Sequence, residues 1–309
     1  MSNFLKQLPD IFRQARKAIK ARLPYVRRRE YRILRRRHDA LIDALIAVPR
    51  RATEAAILVV KPPEAPLAGE ICLFVTHGTL PELKPHVRLH VACLVEEGFK
   101  VVLVVNTDID PTSIVIDPPL RDLLTAVYIR ENVGFDFGAW GHAYALGNGL
   151  PGCSRLLLVN DSIIGPLDKG MFTRLVSRLR ESTADVVGLT QNTVPHLHLQ
   201  SYFLAFGPRA LASEVFRRVF SLMHALPTKE LVIDAYETTL TRHLAASGLK
   251  IAALFSPMYN DSRSADDTLL RWHELIDAGF PFVKASLLRS PQQCAAVRKC
   301  IPAHLIPLV

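Results

Sequence analysis

The chain has 309 residues, of which 49% are hydrophobic and 22% are charged, and its formal net charge is +9. This composition is that of a globular protein with a sizeable core, which excludes a disordered chain. No apolar run approaches the roughly 18 residues that cross a bilayer, and the N-terminus lacks the features of a signal peptide, so we expect a cytoplasmic protein.

The positive charge is concentrated at the start of the chain. Residues 1–51 contain 15 Lys and Arg against four acidic residues, a net charge of +11, whereas the remaining residues have 23 basic and 25 acidic side chains. The densest part, RRREYRILRRRHDALIDAL, has the composition of a helix, and Arg-rich helices suit anionic lipid or nucleic acid. A solvated helix without a partner is the alternative. We predict a basic helical extension over 1–60 and a Pro-rich linker, KPPEAPLAGE, over 61–70.

Apolar runs of strand length alternate with helical patterns from residue 71 to the end of the chain. The predicted strands are ICLFVTH, KVVLVVNT, AVYIREN, RLLLVND, DVVGLT, SYFLAF and KIAALF. Helical spacing of apolar residues separates several of them and covers about 209–226 and 229–246. Strands that are apolar throughout are buried on both faces. The sequence therefore predicts an α/β domain over 71–309, with a mainly parallel sheet covered by helices on both faces.

Polar side chains follow the first four predicted strands, where open α/β sheets bind ligands. They are Thr76 and His77, Asn106 to Asp108, Asn132 to Asp136, and Asn160 to Ser162. The loop NVGFDFGAWG lacks the G-x-G-x-x-G spacing of dinucleotide-binding proteins. Gly134 is suited to positive φ there, and Asp136 either caps a helix starting near Gly138 or binds a ligand.

The strand end VNDS, residues 159–162, has two interpretations. Asn, Asp and Ser are good helix N-caps. Their oxygen atoms also suit a hard divalent cation, and such a cation can bridge a substrate diphosphate.

Several segments together resemble the rhamnan synthesis protein F family over about residues 70–292. They are ENVGFDFGAW, LLLVNDSIIGP, GLT, HLQSYFLAF, AYETTLTRHL and GFPFVKASLLRSP. The resemblance implies a GT-A-like glycosyltransferase of bacterial cell-surface polysaccharide synthesis. Such an enzyme transfers a sugar, rhamnose or another deoxysugar, from a nucleotide-sugar donor to a growing glycan.

The resemblance also implies where the donor binds. Thr76, His77 and the segment from Asn106 to Asp108 would hold the nucleotide, and Asn132, Gly134 and Asp136 would contact nucleotide or sugar. Asn160, Asp161 and Ser162 occupy the place of the Asp-x-Asp metal motif. Because the only carboxylate is the central one, Asp161 is the predicted ligand for Mn²⁺ or Mg²⁺, and a metal-independent enzyme is the alternative.

Catalysis of inverting transfer needs a base for the acceptor hydroxyl. Glu237 in AYETTLT is our prediction for this base, with Asp234 about one turn away as the competitor. His196 and His198 flank Leu197, so an extended segment turns both to one face, where they would serve a diphosphate, an acceptor or a metal. Gln200 either binds sugar hydroxyls or ends a strand.

The predicted partners are a nucleotide-sugar donor, a glycan or lipid-linked acceptor, and the anionic inner membrane surface, bound peripherally through the basic extension. Two rivals stay open. The first is a catalytically inactive GT-A-like scaffold, because the Asp-x-Asp acids are missing. The second is a nucleic-acid-binding protein that uses the basic arm, which the few aromatic residues of the arm and the slightly acidic core disfavour.

Overall fold

The computed structural model describes residues 25–47, 50–255 and 266–306, and the chain divides into two compact units, residues 1–48 and 49–309. In the first unit, helix α1 (Tyr25–Ile46) carries the arginine-rich segment. Its apolar side chains at Tyr31, Leu34, Ile42 and Ile46 are exposed. Residues 1–24 of the predicted extension lie outside the described residues. None of the described helices combines the length and the apolar character that a bilayer-crossing segment requires.

The described part of the second unit is built on an eight-stranded sheet. Its strands are β1 (Ile57–Lys61), β2 (Ala68–Gly78), β3 (Lys100–Thr107), β4 (Ala126–Glu131), β5 (Gly152–Asn160), β7 (Val186–Gly188), β10 (Phe203–Phe206) and β11 (Ile251–Ala253). The spatial order is β1-β4-β3-β2-β5-β10-β7-β11. Strands β1 and β10 run antiparallel to their neighbours, and the other six share one direction. The predicted α/β class with a mainly parallel sheet is confirmed.

Two small ladders supplement the sheet. Strand β6 (Ile163–Ile164) pairs with β12 (Val283–Lys284), and β8 (Gln191–Asn192) pairs with β9 (His198–Leu199).

The helices of this unit lie between the strands and after them. They are α2 (Pro85–Glu96), α3 (Pro118–Leu123), α4 (Phe135–Leu146), α5 (Lys169–Glu181), α6 (Pro208–Ala212), α7 (Glu214–Ser221), α8 (Lys229–Val232), α9 (Thr238–Ala246), α10 (Asp267–Leu270), α11 (Trp272–Asp277) and α12 (Cys294–Cys300). A π-helical turn, Ile233–Glu237, joins α8 to α9.

Helices cover both faces of the central sheet. The connection from β2 to β3 through α2 and the connection from β4 to β5 through α4 step across the sheet in opposite directions. Because such parallel crossovers are right-handed, the two helices lie on opposite faces. On the α2 face, the rings of Phe74 and His90 pack edge to face with centroids 5.2 Å apart. On the α4 face, the buried Trp140 indole donates to the carbonyl of Leu73 over 3.1 Å.

The sheet unit begins earlier in the chain than the sequence predicts. It starts at Pro49, and residues 57–61, which the sequence assigns to the extension and its linker, form β1 and pair antiparallel with β4. The short apolar run ILVV is sufficient for an edge strand, but its basic and Pro-rich flanks obscure it. The segment that separates β1 from β2 therefore covers only 62–67.

Gly134 shapes the loop between β4 and α4. It has the positive φ that the sequence predicts, 72°, and precedes the helix, which starts at Phe135 rather than near Gly138. A Cβ atom at residue 134 would lie 2.8 Å from the Cα atom of Ala225. The position therefore excludes other residues by backbone conformation and by contact.

We predict that Gly134→Ala lowers the free energy of unfolding by about 3 kcal/mol, because left-handed strain and a backbone overlap add. Gly248 is the matched control, since it has φ 83° and a Cβ atom added there would meet no atom within 4 Å. Gly248→Ala should cost only the strain, about 1–2 kcal/mol. Denaturant unfolding measures both, and equal losses would show that the contact with Ala225 is unimportant.

Candidate functional site

The strand order reverses between β2 and β5, and one carboxylate joins the carboxyl ends of these two strands. Asp161 follows β5 directly. Its Oδ2 atom accepts hydrogen bonds from Thr76 Oγ1 over 2.6 Å and from the backbone N–H of His77 over 3.1 Å, both at the end of β2. Lys84 Nζ lies 2.6 Å from the same oxygen. The crevice at such a reversal is the usual ligand site of open α/β sheets.

Asp161 is held ionised although it is nearly buried. Its side chain is 14% exposed and that of Lys84 is 30% exposed. Burial alone would raise the pKa of Asp161, but the charge of Lys84 and the donated hydrogen bonds outweigh burial and lower it. Asp161 is therefore a fixed negative charge that is neutralised by one ammonium group.

Asp136 is partly buried near the end of β5, and its pKa shifts in the opposite direction. Asn160 Nδ2 donates to Asp136 Oδ2 over 2.9 Å, and Asn160 Oδ1 accepts from the backbone N–H of Ser162 over 3.0 Å. Burial and then the charge of Asp161 raise the pKa of Asp136 to about 6. Asp136 lies in the first turn of α4, whose N-cap residue is Gly134. The loop NVGFDFGAWG and the strand end VNDS thus meet, as the sequence predicts.

Glu237 completes this group of carboxylates. It ends the π-helical turn, accepts a hydrogen bond from Ser201 Oγ, and its Oε1 atom lies 3.9 Å from Nε2 of His198. Its charge helps to raise the pKa of Asp136, whereas the charge of Lys229 opposes that rise. Asp234 lies in the same π-helical turn. Such π-helical turns are frequent at functional sites.

A second polar cluster lies at the ends of β2, β3 and β4. Asp108 Oδ2 is 2.8 Å from Nε2 of His77 and accepts from Nδ2 of Asn132 over 3.0 Å. His77 and Asp108 are exposed, with side-chain accessibilities of 40% and 65%. Three residues predicted to contact the nucleotide are therefore brought together and are open to solvent.

A cavity of about 520 Å³ adjoins both groups, within the roughly 300–1,000 Å³ that is typical of ligand sites. It lies beyond the end of β2, beside α2. Thr76, His77, Lys84 and Arg88 are among its lining residues.

Five residues that the sequence predicts to bind a ligand are buried. They are Thr76, Asn106, Asn160, His198 and Gln200, each at most 4% exposed. Their hydroxyl, amide and ring groups bond to the protein, so in this structure they support the site from within. Buried polar side chains are stable only with such partners.

Asn106 shows how this support works. The buried guanidinium of Arg130 donates to the carbonyl of Val133 over 2.8 Å and to Asn106 Oδ1 over 3.3 Å. Asn106 Nδ2 in turn donates to the carbonyl of Phe135 over 3.1 Å. These bonds fix the backbone that carries Asp136.

The two predicted histidines and Gln200 are held in separate ways. His196 Nε2 lies 2.6 Å from the carbonyl of Thr238, and His198 Nδ1 lies 2.8 Å from the carbonyl of His196. Gln200 Nε2 donates to Asp266 over 2.9 Å. The histidine rings are 6.3 Å apart, but the burial of His198 keeps the pair from presenting one ligand-binding face.

The residues around Asp161 do not fit a carboxylate-bound divalent cation. Lys84 already occupies the cationic position on Oδ2, Asn160 is committed to Asp136, and Ser162 brings no charge. Across the described ranges, His, Cys, Asp and Glu side chains form no group of three that could hold a metal ion. Hard cations prefer several oxygen ligands.

Sequence reasoning missed Lys84 and Lys229. Lys84 stands in ELKP, between the first strand of the parallel set and α2, so a basic residue in that loop was the available signal. Its partner is 77 residues away in the chain, which the spacing of residues does not reveal.

We predict that neutralising the two aspartates shifts stability in opposite directions. The raised pKa of Asp136 contributes stability below its ordinary value of 3.8 that is lost as the pH rises through about 6, so Asp136→Asn should raise the melting temperature at pH 8 but hardly change it at pH 4. The lowered pKa of Asp161 contributes stability at neutral pH that is lost on acidification, so Asp161→Asn should cost about 2 kcal/mol at pH 8.

Melting curves of both variants between pH 4 and pH 8 check this. A loss of stability in Asp136→Asn at pH 8 would mean that Asp136 is an ordinary structural carboxylate.

Comparison with known proteins identifies the family. Residues 101–302 match the family described as Rhamnan synthesis protein F, a range that contains Asp136, Asp161 and Glu237 but not Lys84. The chain is 28% identical to Virulence protein VirA of Vibrio anguillarum over 192 residues, which cover 52% of this chain and 61% of VirA. It is 32% identical to the uncharacterized protein y4gN of Sinorhizobium fredii over 133 residues, which cover 41% of this chain and 34% of y4gN. The chain thus spans less than two thirds of the length of either relative. Since the family match covers more than half of the chain, this protein belongs to the rhamnan synthesis protein F family.

Proposed function

We propose that the protein is a GT-A-type glycosyltransferase that transfers a sugar from a nucleoside-diphosphate donor to a cell-surface glycan. The observation that supports this most strongly is the meeting of Asp136, Asp161 and Lys84 at the reversal of strand order, next to a cavity of about 520 Å³. The family's name favours rhamnose or a related deoxysugar as the donor sugar. The exposed cluster of His77, Asp108 and Asn132 is the proposed site for the nucleoside.

The proposed reaction divides the site into a donor side and an acceptor side. Asp136 is hydrogen-bonded to Asn160, the residue that precedes Asp161. It is therefore assigned to the donor side, where its carboxylate is suited to accept a hydrogen bond from a hydroxyl of the donor sugar. Glu237 approaches from the π-helical turn and is the proposed base for the acceptor hydroxyl. Its hydrogen bond from Ser201 fixes the carboxylate orientation.

We predict that Glu237→Gln lowers turnover about 100-fold or more while the donor Kd stays nearly unchanged, because the base acts on the acceptor proton and not on the donor. Release of nucleoside diphosphate from a panel of nucleotide sugars, with glycolipid extract as acceptor, measures turnover. Calorimetric titration of the donor measures Kd.

Glu230→Gln is the matched control, because Glu230 is an exposed carboxylate of the neighbouring helix α8, and it should keep full activity. Full turnover in Glu237→Gln would move the base to Asp234 or Asp136. Donor binding without turnover in the unaltered protein would favour an inactive scaffold.

The basic extension is proposed to hold the enzyme on the cytoplasmic face of the inner membrane, near a lipid-linked acceptor. In α1, exposed arginines such as Arg29, Arg35 and Arg36 accompany the exposed apolar side chains of Tyr31 and Leu34. A helix of this kind can lie in an anionic interface, with arginines at the phosphates and apolar groups below them.

We predict that the triple change Arg29→Gln, Arg35→Gln and Arg36→Gln weakens binding to anionic vesicles at least tenfold, since each charge contributes about 1 kcal/mol at such a surface. Co-sedimentation with phosphatidylglycerol vesicles at low and high salt measures this. The matched control removes three exposed arginines of the second unit, Arg121, Arg174 and Arg218, and should bind normally. Equal binding of both variants, or tighter binding to a single-stranded oligonucleotide than to vesicles, would contradict membrane docking.

A further inference from the structure

Two permanently charged cations, Lys84 and Arg88, are among the described residues that line the cavity beyond β2, and Glu82 is an acidic lining residue. Each cation has a carboxylate partner, Asp161 for Lys84 and Asp117, at 3.0 Å, for Arg88. The donors that these partners leave unused can bind an anionic ligand.

Lys84 is the best-placed cation in this lining. Its ammonium group is held 2.6 Å from Asp161, and its side chain is still 30% exposed. An ammonium group carries three donors, and the bond to Asp161 uses one of them. Lys84 also immediately precedes the 12-residue helix α2, whose N-terminal end adds positive potential.

The charge of a second ammonium group acts on one of the two aspartates. Lys229 is exposed at the first position of α8, and its charge acts on Asp136. Lys84 and Lys229 come from segments about 145 residues apart in the chain, and in the folded protein the first pairs with Asp161 and the charge of the second acts on Asp136.

We propose that Lys84, assisted by Lys229, binds the diphosphate of the donor directly, so that donor binding requires no divalent cation. This inference rests on the proposed function and specifies its donor site. It follows from the disagreement between the expected metal motif and the observed partners: the carboxylate that would hold a metal holds a lysine instead.

The same lysine has a role in the transfer step. The bond between the sugar carbon and the diphosphate oxygen breaks, and its electron pair stays on that oxygen. The acceptor oxygen forms the new bond to the sugar carbon, and its proton passes to Glu237. Negative charge develops on the leaving oxygen as this bond breaks, so it is greater in the transition state than in the bound donor, and the fixed charge of Lys84 stabilises the transition state more than the bound donor. Asp161 keeps the ammonium in place and is a positioning residue.

The experiment is calorimetric titration of the full chain with inorganic pyrophosphate, UDP and dTDP, each in EDTA and each in Mn²⁺. Pyrophosphate probes the diphosphate site alone, and the nucleotides add the nucleoside contacts. We expect at least one probe to bind in EDTA with a Kd within about twofold of that in Mn²⁺. Lys84→Met should weaken it about tenfold or more, the loss typical of a charged hydrogen bond, and Mn²⁺ should not restore it. Lys229→Met should have a smaller effect.

Three further variants serve as controls. Lys84→Arg retains the charge and should recover most of the affinity. Lys84→Met combined with Asp161→Asn removes both charges, so it avoids an unpaired buried carboxylate and should remain folded while binding as weakly as Lys84→Met. Lys169→Met removes a lysine whose ion pair with Glu96 lies outside the site, and it should bind normally.

The outcomes separate this inference from the function on which it rests. Binding in Mn²⁺ but not in EDTA would overturn the lysine site and leave a metal-dependent glycosyltransferase. Unchanged affinity in Lys84→Met and in the double variant would place the diphosphate elsewhere and overturn the inference too. Failure of every probe to bind in either condition would reject the inference and the proposed function together.

Discussion

The site depends on the contacts of the Asp161 carboxylate, which accepts hydrogen bonds from Thr76, His77 and Lys84. It joins the ends of β2 and β5, the two strands between which the order of the sheet reverses, so it fixes the crevice where ligands bind in such folds. A carboxylate this buried stays ionised only with a strong cationic partner. Lys84 is that partner. The charge of Asp161 in turn helps to raise the pKa of the neighbouring Asp136.

The raised pKa of Asp136 follows in part from this pair. Burial, and then the fixed negative charge of Asp161, raise that pKa to about 6. Two neighbouring aspartates whose pKa values shift in opposite directions are typical of sites in which one group binds and another transfers a proton. The arrangement costs stability at neutral pH, which is a common property of functional sites and a reason to regard Asp136 as more than a helix residue.

The sequence was informative where a local pattern determines the structure. Strand periodicity located the parallel strands, and the rule that their carboxyl ends share one edge brought Asp136 and Asp161 together correctly. The requirement for positive φ at Gly134 was also local. The burial of polar side chains is not determined by a local pattern. Asn106 lies near the end of one strand and Gln200 precedes another, as ligand-binding residues would. Both are nevertheless buried, and they hydrogen-bond with Arg130 and Asp266 respectively. The contact between Lys84 and Asp161 depends on the path of the loop before α2, which no spacing rule supplies.

The central claim is that a nucleoside diphosphate binds at the junction of β2 and β5 with its phosphates on Lys84. The most direct measurement is a crystal structure of the protein with UDP or dTDP bound. The account predicts a phosphate oxygen within hydrogen-bonding distance of Lys84 Nζ and the nucleoside near His77, Asp108 and Asn132. Phosphates bound away from Lys84, for example in the cavity of about 760 Å³ lined by Tyr144, Cys153 and Arg217, would contradict it.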